Sequence, residues 1–554
     1  MRKREGVFVL SIGAAFLAFF LATGLQRNVN GANPSIPRGR WKLAPLARDP
    51  ALSGSANVLT YHNDLARTGQ NLEEGILTPG NVNAKTFGKV GFLTTDGLVD
   101  AEPLYVSNLA IGGRSHNVVF VATEHDSVYA FDADRLTPLW QVSVISPNET
   151  PSDDRNCAQV SPEIGITSTP VIARNADGGI LYVVAMSKDA DGNYFQRLHA
   201  LDMTSGADIP GSPATIQATF PNLKGQVTFD AKRYKERAAL LLLNGVVYTT
   251  WASHCDEGEY TGWIIGYDAT TLQQANVLNL TPNGDDGAIW MSGAGPAADS
   301  EGNIYLLDAN GTFDETFDSS GFPIDGDFGN AFLKLTAAGG KLSVADYFNT
   351  HDTTAQSGRD EDLGSGGALI LPDYTDSSGH TRQLAVGAGK DKHIYVVNRN
   401  EMGKFHHKKN GSIYQEIDHA LTGQFFGMPA YFNKTLYFGS INDSLKAFSI
   451  EEARLVPQPI SQTAAHFAYP GTTPSISANG TSNGIVWAVE ARGSDAGILH
   501  AYDASNLENE LYTSAQARAG RDAFADNKFI TPMIANGRVF VGTLTGVMVF
   551  GLLQ

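Results

Sequence analysis

The sequence predicts an all-β protein, an eight-bladed β-propeller of four-stranded antiparallel blades. Three observations predict this fold: a strand-and-turn unit occurs eight times, glycine is abundant with 58 residues, and helical periodicity is hard to find after the N-terminus. Many short strands joined by tight turns produce such a pattern. A chain of 554 residues with 42% hydrophobic residues can bury a large core. The repetition favours one ring of sheets over several separate domains.

Each unit begins at a proline or a small residue and continues with a short apolar strand, a glycine turn and a strand of the VYV type. A third strand then ends in Tyr-Asp-Ala or a relative of it. Three or four such segments with apolar alternation form one twisted antiparallel sheet. The eight units begin at AEPLYV (101–106), TPVIA (169–173), ALLLLNG (239–245), AGPAAD (294–299), GGALILPD (366–373), GMPAYFN (427–433), TPSISANG (473–480) and TPMIANG (531–537).

The eighth unit lacks an outer strand, because the chain ends just after GVMVFGL (546–552). The segment FGKVGFL (87–93) lies ahead of the first unit and has the right pattern to replace it. Pairing the N-terminal strand with the C-terminal blade would close the ring and leave only short, protected edges.

The aspartates that end the third strands are predicted to be structural. An Asp in this position accepts backbone N–H bonds from the turn that follows. This interpretation applies to Asp132, Asp202, Asp268 and Asp503.

The N-terminus predicts export. Residues 1–31 are interpreted as a signal peptide or a signal anchor, because basic residues at positions 2–4 precede an apolar run over 7–25. Residues 32–56 are interpreted as a linker and residues 57–554 as the propeller domain. The domain is expected in the periplasm or outside the cell, and it contacts a membrane only if the N-terminal segment is uncleaved.

Charge and cysteine content limit the partners and the compartment. A net charge of −18 argues against a nucleic-acid partner, because phosphate binding needs clustered Lys and Arg. Cys157 and Cys255 are the two cysteines of the chain. They form one disulfide, as exported proteins permit, or remain two buried thiols; the sequence leaves both alternatives open.

Five residues in units three to five are candidates for a site. Glu257 lies in ASHCDEGEYTGWIIGYD (252–268), and Trp290 is followed twenty residues later by Asn310 in a tight turn. Asp362 lies in an acidic motif before the fifth unit, and Lys390 precedes the strand HIYVVNR. Loops at strand ends gather near the axis of a propeller, so we expect these side chains to meet there.

The units and these motifs resemble the PQQ-type propellers, the quinoprotein alcohol dehydrogenase-like family, from about Leu59 to Gln554. FDADRLTPLW (131–140) is the best copy of the family's blade motif. The resemblance implies that pyrroloquinoline quinone (PQQ) and calcium are cofactors. It implies calcium ligation by Glu257, Asn310 and Asp362, and contacts with the cofactor by Glu257, Trp290, Asn310 and Lys390. Asp362 would also be the catalytic base.

The residue types suit those roles. Calcium prefers carboxylate and amide oxygens, and an indole offers the largest face for a flat ring. An ammonium stabilises negative charge on a reduced quinone, and a carboxylate takes the alcohol proton while hydride leaves for the quinone.

Two functions remain open at this stage. The first is an exported PQQ- and calcium-dependent dehydrogenase that oxidises an alcohol or an aldose and passes electrons to a separate acceptor. The second is a non-catalytic propeller scaffold that binds a protein or a glycan in the cell envelope. The second is favoured by departures from the family: the family's adjacent cysteine pair is absent, and several blade motifs lack their Gly and Trp. The long loop 312–330 either covers the axial pocket or decorates the rim.

Overall fold

The structure, a computed structural model, describes residues 57–176, 178–493 and 496–553. The predicted signal segment (1–31) and linker (32–56) lie outside the described residues. Among the described residues, no helix is long and apolar enough to cross a membrane.

The predicted eight-bladed propeller is confirmed. The strands of each blade are given from the first to the fourth. Blade 1 comprises Leu104–Ile111, Arg114–Ala122, Ser127–Asp132 and Thr137–Ser143, and blade 2 comprises Val171–Asn175, Gly178–Asp189, Tyr194–Asp202 and Ala214–Thr215. Blade 3 comprises Leu241–Leu243, Val246–Ser253, Trp263–Asp268 and Gln274–Asn279, and blade 4 comprises Ala297–Ala298, Ile304–Leu307, Phe332–Ala338 and Lys341–Phe348. Blade 5 comprises Leu369–Ile370, Leu384–Ala388, Ile394–Asn398 and Gln415–Ile417, and blade 6 comprises Ala430–Phe432, Thr435–Gly439, Asp443–Glu451 and Ser461–Phe467. Blade 7 comprises Ser475–Asn479, Ser482–Glu490, Ala496–Asp503 and Asn506–Thr513, and blade 8 comprises Met533–Ala535, Arg538–Thr543, Gly546–Leu552 and Phe87–Thr94.

Short elements decorate the blades. The additional strands are Gln70–Asn71, Glu149–Asp153, Glu163–Ile164, Thr219–Asn222, Gly225–Thr228, Tyr234–Glu236, Tyr374–Thr375, Thr381–Arg382, Arg454–Leu455 and Phe524–Ala525. The described chain has one short α-helix, Thr353–Gly358, and the 3-10 turns Met291–Gly293, Leu363–Ser365, Ser514–Gln516 and Arg518–Gly520.

The ring closes as predicted. The strand Phe87–Thr94 pairs antiparallel with Gly546–Leu552, so that Phe87 lies opposite Leu552 and Thr94 opposite Gly546. The two ends of the chain therefore share blade 8, and the backbone groups of its last strand are paired on both sides.

The aspartates at the ends of third strands are structural, as predicted. Asp268 Oδ1 accepts bonds from the backbone N–H groups of Thr270 and Thr271, at 3.0 and 2.8 Å. Asp132 and Asp202 accept two backbone bonds in the same way, and Asp503 accepts one from Ser505 N. Each carboxylate thus orders the turn that follows its strand.

The sequence did not predict one feature, a segment over residues 58–71 that bonds to every blade. We call it the hub segment. In the order of blades 1 to 8, its partners are Tyr105, Ile172, Leu240, Ala298, Ile370, Tyr431, Ile476 and Ile534. Seven of these lie in first strands and Leu240 directly precedes one. Because first strands of neighbouring blades contact one another, the hub segment crosses the axis of the propeller.

Arg67 is the centre of the hub segment. Its guanidinium is fully buried and donates to Pro296 O at 2.9 Å, Thr60 Oγ1 at 2.7 Å, Tyr61 O at 2.8 Å and Leu240 O at 3.3 Å. Burial lowers the pKa of Arg67 to about 10, so the group stays charged at neutral pH. One side chain thereby links the hub segment to blades 3 and 4.

The loop 312–330 packs with its aromatic side chains. Phe313 and Phe317 contact Phe405, with ring centroids 5.0 and 5.8 Å apart, and Phe313 also contacts Tyr347. The bridge between Phe313 and Phe328 closes the base of the loop. Its packing therefore involves blade 4 and the connection to the outer strand of blade 5.

Candidate functional site

Four polar residues meet where the loops of blades 4 and 5 approach each other. We call Asn310, Asp360, Asp362 and Lys390 the lysine network. Lys390 Nζ lies 2.7 Å from Asp362 Oδ1 and forms a second ion pair with Asp360. Asn310 Nδ2 donates to Asp360 Oδ1 at 2.7 Å. Three of the five predicted site residues are thus brought together.

The backbone holds this network in place. Asp362 directly precedes the 3-10 turn Leu363–Ser365, and its carbonyl accepts a bond from Lys390 N at 2.9 Å. A Cβ on Gly389 would lie 2.4 Å from that carbonyl oxygen, so only glycine permits this approach. Gly364 is constrained in the same way, since its Cβ would lie 2.3 Å from Ala309 N.

Burial and the partner's charge shift the pKa values of Asp362 and Lys390 in opposite directions. Asp362 is 1% exposed, and burial raises its pKa above the usual value, an effect that the Lys390 charge partly offsets. Burial would lower the pKa of Lys390, but the charges of Asp362 and Asp360 outweigh it and raise the pKa. A buried carboxylate with increased proton affinity beside a fixed ammonium can accept a proton from a bound hydroxyl group.

Several acceptor atoms in and near the lysine network are buried without a hydrogen-bond partner among the described residues. They include Asn310 Oδ1 and Asp308 Oδ2, while Asp362 Oδ1 has the ion pair with Lys390. Burial raises the pKa of Asp308 well above its usual value, and the charge of Asp362 raises it further. Buried polar atoms are almost always paired, so these oxygens can accept a hydrogen bond from a water or a ligand.

Trp290 belongs to a ring of four aromatic side chains, which we call the aromatic cluster. Trp290 contacts Phe426 and Phe529, and Tyr469 contacts the same two residues, with centroids 5.5–5.8 Å apart and interplanar angles of 69–84°. These residues precede the first strands of blades 4, 6, 7 and 8. The edge-to-face contacts therefore close a square of rings.

Cations flank the aromatic cluster on two sides. Lys390 Nζ lies 5.9 Å from the centroid of the Phe426 ring, and Arg237 Cζ lies 5.2 Å from the centroid of the Phe529 ring. Arg237 is buried, and its Nη1 lies 3.9 Å from Asp100 Oδ2. We call the aromatic cluster, the lysine network and Arg237 together the axial site.

The axial site and the hub segment involve different parts of the same blades. Phe426, Tyr469 and Phe529 each precede the hub partner of their own blade by five to seven residues. The axial site therefore lies before the first strands of these blades, whereas the hub segment bonds to residues within them.

Glu257, the fifth predicted site residue, lies outside the lysine network. Its side chain is exposed and its charge acts on Arg155. Among the described residues, no hydrogen bond or ion pair joins Glu257 to Asn310 or Asp362. Calcium ligation by these three residues stays a prediction.

The loop that carries Glu257 is held by a disulfide. Cys157 and Cys255 are bonded, with their Cα atoms 6.1 Å apart and a sequence separation of 98. Of the two alternatives that the sequence left open, the disulfide is the one observed. It ties the loop after the second strand of blade 3 to a loop that precedes the first strand of blade 2.

Sequence reasoning missed five residues of the axial site: Arg237, Asp360, Phe426, Tyr469 and Phe529. Asp360 lies two residues before Asp362 in the same acidic motif, so its spacing was a usable signal. The three aromatic residues come from blades 6 to 8, and only the closed ring brings them to Trp290. Arg237 lies between Tyr234–Glu236 and the first strand of blade 3, where nothing in its local sequence distinguishes it.

No protein-family model matches the sequence. No curated protein sequence matches it significantly.

Solved structures do match. A quinohemoprotein alcohol dehydrogenase from Pseudomonas putida HK5 aligns with a TM-score of 0.58 and 15% identity, over 90% of this chain and 80% of that one. The quinohemoprotein alcohol dehydrogenase from Comamonas testosteroni aligns with a TM-score of 0.57 and 14% identity, over 91% of this chain and 81% of that one. At such identities the likeness concerns the fold. The chain has the eight-bladed propeller fold of the quinoprotein alcohol dehydrogenases.

Proposed function

We propose that the chain is an exported, quinoprotein-like dehydrogenase that binds PQQ at the axial site and oxidises an alcohol or an aldose. A separate acceptor would take the electrons. The observation that carries the proposal is the buried Asp362–Lys390 ion pair, 2.7 Å long, next to the aromatic cluster. It combines a proton acceptor, a fixed cation and aromatic faces in one place.

The residues of the axial site fit PQQ chemically. PQQ is a flat anion, so it needs aromatic faces and cations. Trp290 supplies an aromatic face, and Lys390 and Arg237 supply the charges. When bound, PQQ supplies a two-electron acceptor for the hydride that leaves the substrate. Asp362 takes the hydroxyl proton, and Lys390 both orients Asp362 and stabilises negative charge nearby.

The residues do not fit calcium as the sequence predicts it. The carboxylate of Glu257 is exposed, and the ammonium of Lys390 already lies against Asp360 and Asp362. The buried Asn310 Oδ1 and Asp308 Oδ2 are free to act as ligands, but two oxygens are far from the six to eight that calcium takes. We therefore derive no step through calcium.

Export rests on two supports. The first is the basic and apolar pattern of residues 1–31. The second is the disulfide between Cys157 and Cys255, since such bonds persist in oxidising compartments. We infer a periplasmic or secreted protein with a small-molecule alcohol or sugar substrate and no nucleic-acid partner.

Reconstitution tests the proposal. The purified full-length chain is mixed with PQQ, with and without calcium, and examined for a bound quinone spectrum and for dye-linked oxidation of alcohols and sugars. We expect binding at micromolar PQQ, and a loss of turnover of at least 100-fold in Asp362→Asn with binding retained. The matched control is Asp373→Asn, because Asp373 is half-exposed and pairs with Arg399 away from the axial site.

Two results would contradict the proposal. Absence of any PQQ binding at micromolar concentration would exclude the cofactor. Turnover that is equal in Asp362→Asn and in the control would remove the assigned role of Asp362.

One observation favours the second candidate, a non-catalytic scaffold that binds a protein or a glycan. Tyr469 is 52% exposed although it belongs to the aromatic cluster. Tyr and Trp are enriched on binding surfaces that have one apolar and one wet side. A chain that fails to bind PQQ but quenches Trp290 fluorescence with an oligosaccharide or a peptide, and loses this in Tyr469→Ala, would support the scaffold.

A further inference from the structure

A second polar cluster lies on blade 5, outside the residues of the axial site. The imidazoles of His393 and His419 and the carboxylate of Asp418 converge there, with one ligand atom of each within 4.8 Å of the others. The sheet register explains the meeting. Ile394 lies opposite Ile417 in the antiparallel pair, so His393 and Asp418 lie opposite each other one residue beyond the ladder.

The ring of His393 is oriented by a neighbouring carboxylate. Its Nδ1 lies 3.0 Å from Glu416 Oε1. Glu416 is fixed in turn, because both of its oxygens accept from Asn410 Nδ2 at 3.1 Å. A proton on Nδ1, donated to Glu416, leaves the Nε2 lone pair free, and Nε2 lies 3.2 Å from Asp418 Oδ1. Histidines that bind metals are commonly held by a carboxylate in this way.

His419 completes the group from the other side. Its Nδ1 contacts the same oxygen of Asp418 that faces His393. The rings of the two histidines lie 4.8 Å apart. Two imidazole nitrogens directed at one carboxylate oxygen form a donor set that a single ion can share.

The donor types select the class of ion. Two imidazoles and one carboxylate match zinc and similar divalent transition metals, whereas calcium and magnesium prefer oxygen ligands alone. Asp418 and His419 are 74% and 72% exposed in their side chains, so water can take a further position.

We propose that His393, Asp418 and His419 form a binding site for a zinc-class divalent ion, with Glu416 as the residue that positions His393. Three protein ligands and an open position are typical of zinc sites that bind a further small ligand. The site goes beyond the proposed quinoprotein function and does not depend on it.

Metal titration of the intact chain tests this site. The full-length protein is stripped with a chelator and titrated with Zn²⁺ by calorimetry, and with Co²⁺ while its visible absorption is recorded. We expect one equivalent of ion at this site, at least a 10-fold weaker affinity in His419→Ala, and a 10- to 100-fold weaker affinity in Glu416→Gln. The matched control is His380→Ala, since His380 is also exposed and lies 3.8 Å from Asp376.

The result is decisive in either direction, because His419 is exposed and its replacement leaves the fold intact. Absence of stoichiometric binding by the intact chain would overturn the proposal. So would a His419→Ala variant that binds as tightly as the His380→Ala control. Thermal unfolding of each stripped variant verifies that it is folded.

Discussion

The hub segment bonds to the first strands of the blades, the axial site lies in the loops before and between strands, and the two differ in how their buried polar groups are hydrogen-bonded. In the hub segment, all three nitrogens of the buried Arg67 guanidinium donate to oxygens of the chain. In and beside the axial site, Asn310 Oδ1 and Asp308 Oδ2 are buried without partners in the described chain. The hub segment is thus built for stability, whereas the axial site retains unsatisfied groups that a ligand can use.

The largest effect is expected from breaking the hub segment. Arg67→Ala leaves the carbonyls of Pro296, Tyr61 and Leu240 without this donor, and all of them are buried. We expect the free energy of unfolding to fall by about 3–5 kcal/mol, as for other buried charged networks. Denaturant unfolding measures it. Arg135→Ala is the control, since Arg135 is exposed in its pair with Asp132 and should cost below about 1 kcal/mol. Equal losses would refute the assigned role of Arg67.

The second-largest loss of stability is expected from removing the disulfide, which holds the loop that carries Glu257. Its removal, as the double substitution of Cys157 and Cys255 to Ser, frees a closed loop whose ends have a sequence separation of 98. We expect a loss of about 2–4 kcal/mol, mainly because the unfolded chain gains freedom. Denaturant unfolding of the oxidised protein and of the variant measures this. A variant as stable as the parent would show that the bond constrains little.

A gain in stability is expected from a substitution beside the axial site, at Asp308. The pKa of Asp308 is raised by burial above its usual 3.8, so the folded state binds a proton more tightly than the unfolded state does. This group therefore lowers stability as pH rises from about 4 through the raised pKa, and the loss persists at neutral pH. We expect Asp308→Asn to increase the free energy of unfolding at pH 8 by about 1–2 kcal/mol. Unfolding curves at pH 4 and pH 8 test it; a destabilised variant at pH 8 would contradict the cost assigned to this carboxylate.

The smallest change in stability is expected from Tyr469→Ala, and it tests the contrast between the axial site and the hub segment. Tyr469 is half-exposed and contacts only the edges of Phe426 and Phe529 among the aromatic rings. Tyr469→Ala should therefore cost about 0.5–1.5 kcal/mol, well below Arg67→Ala. Thermal unfolding of both variants side by side tests it. A larger loss from Tyr469 than from Arg67 would reverse the assignment of stability to the hub segment.

The sequence predicted the ring but not its centre. Repeated strands carry a period of two and turn residues, so all eight units and the pairing of Phe87–Thr94 with the last strand were predictable. The hub segment has irregular backbone, and its bonds join residues as distant as Asn71 and Ile534. Such bonds depend on the closed ring and have no local signal.

The same distinction applies to the axial site. Asn310, Asp362 and Lys390 were predictable because they lie in motifs of adjacent blades, and the structure brings them together. The direction of the Glu257 side chain could not be predicted, because a loop residue with the same spacing in sequence can face either the axis or the solvent. Phe426, Tyr469 and Phe529 meet Trp290 only through the curvature of the whole ring.

The hub segment has a consequence for biosynthesis. It leaves the ribosome before any blade exists, yet its partners extend to Ile534, near the C-terminus. Contacts of such long sequence separation form slowly. We therefore expect completion of the ring to be a late event in folding, after synthesis of blade 8.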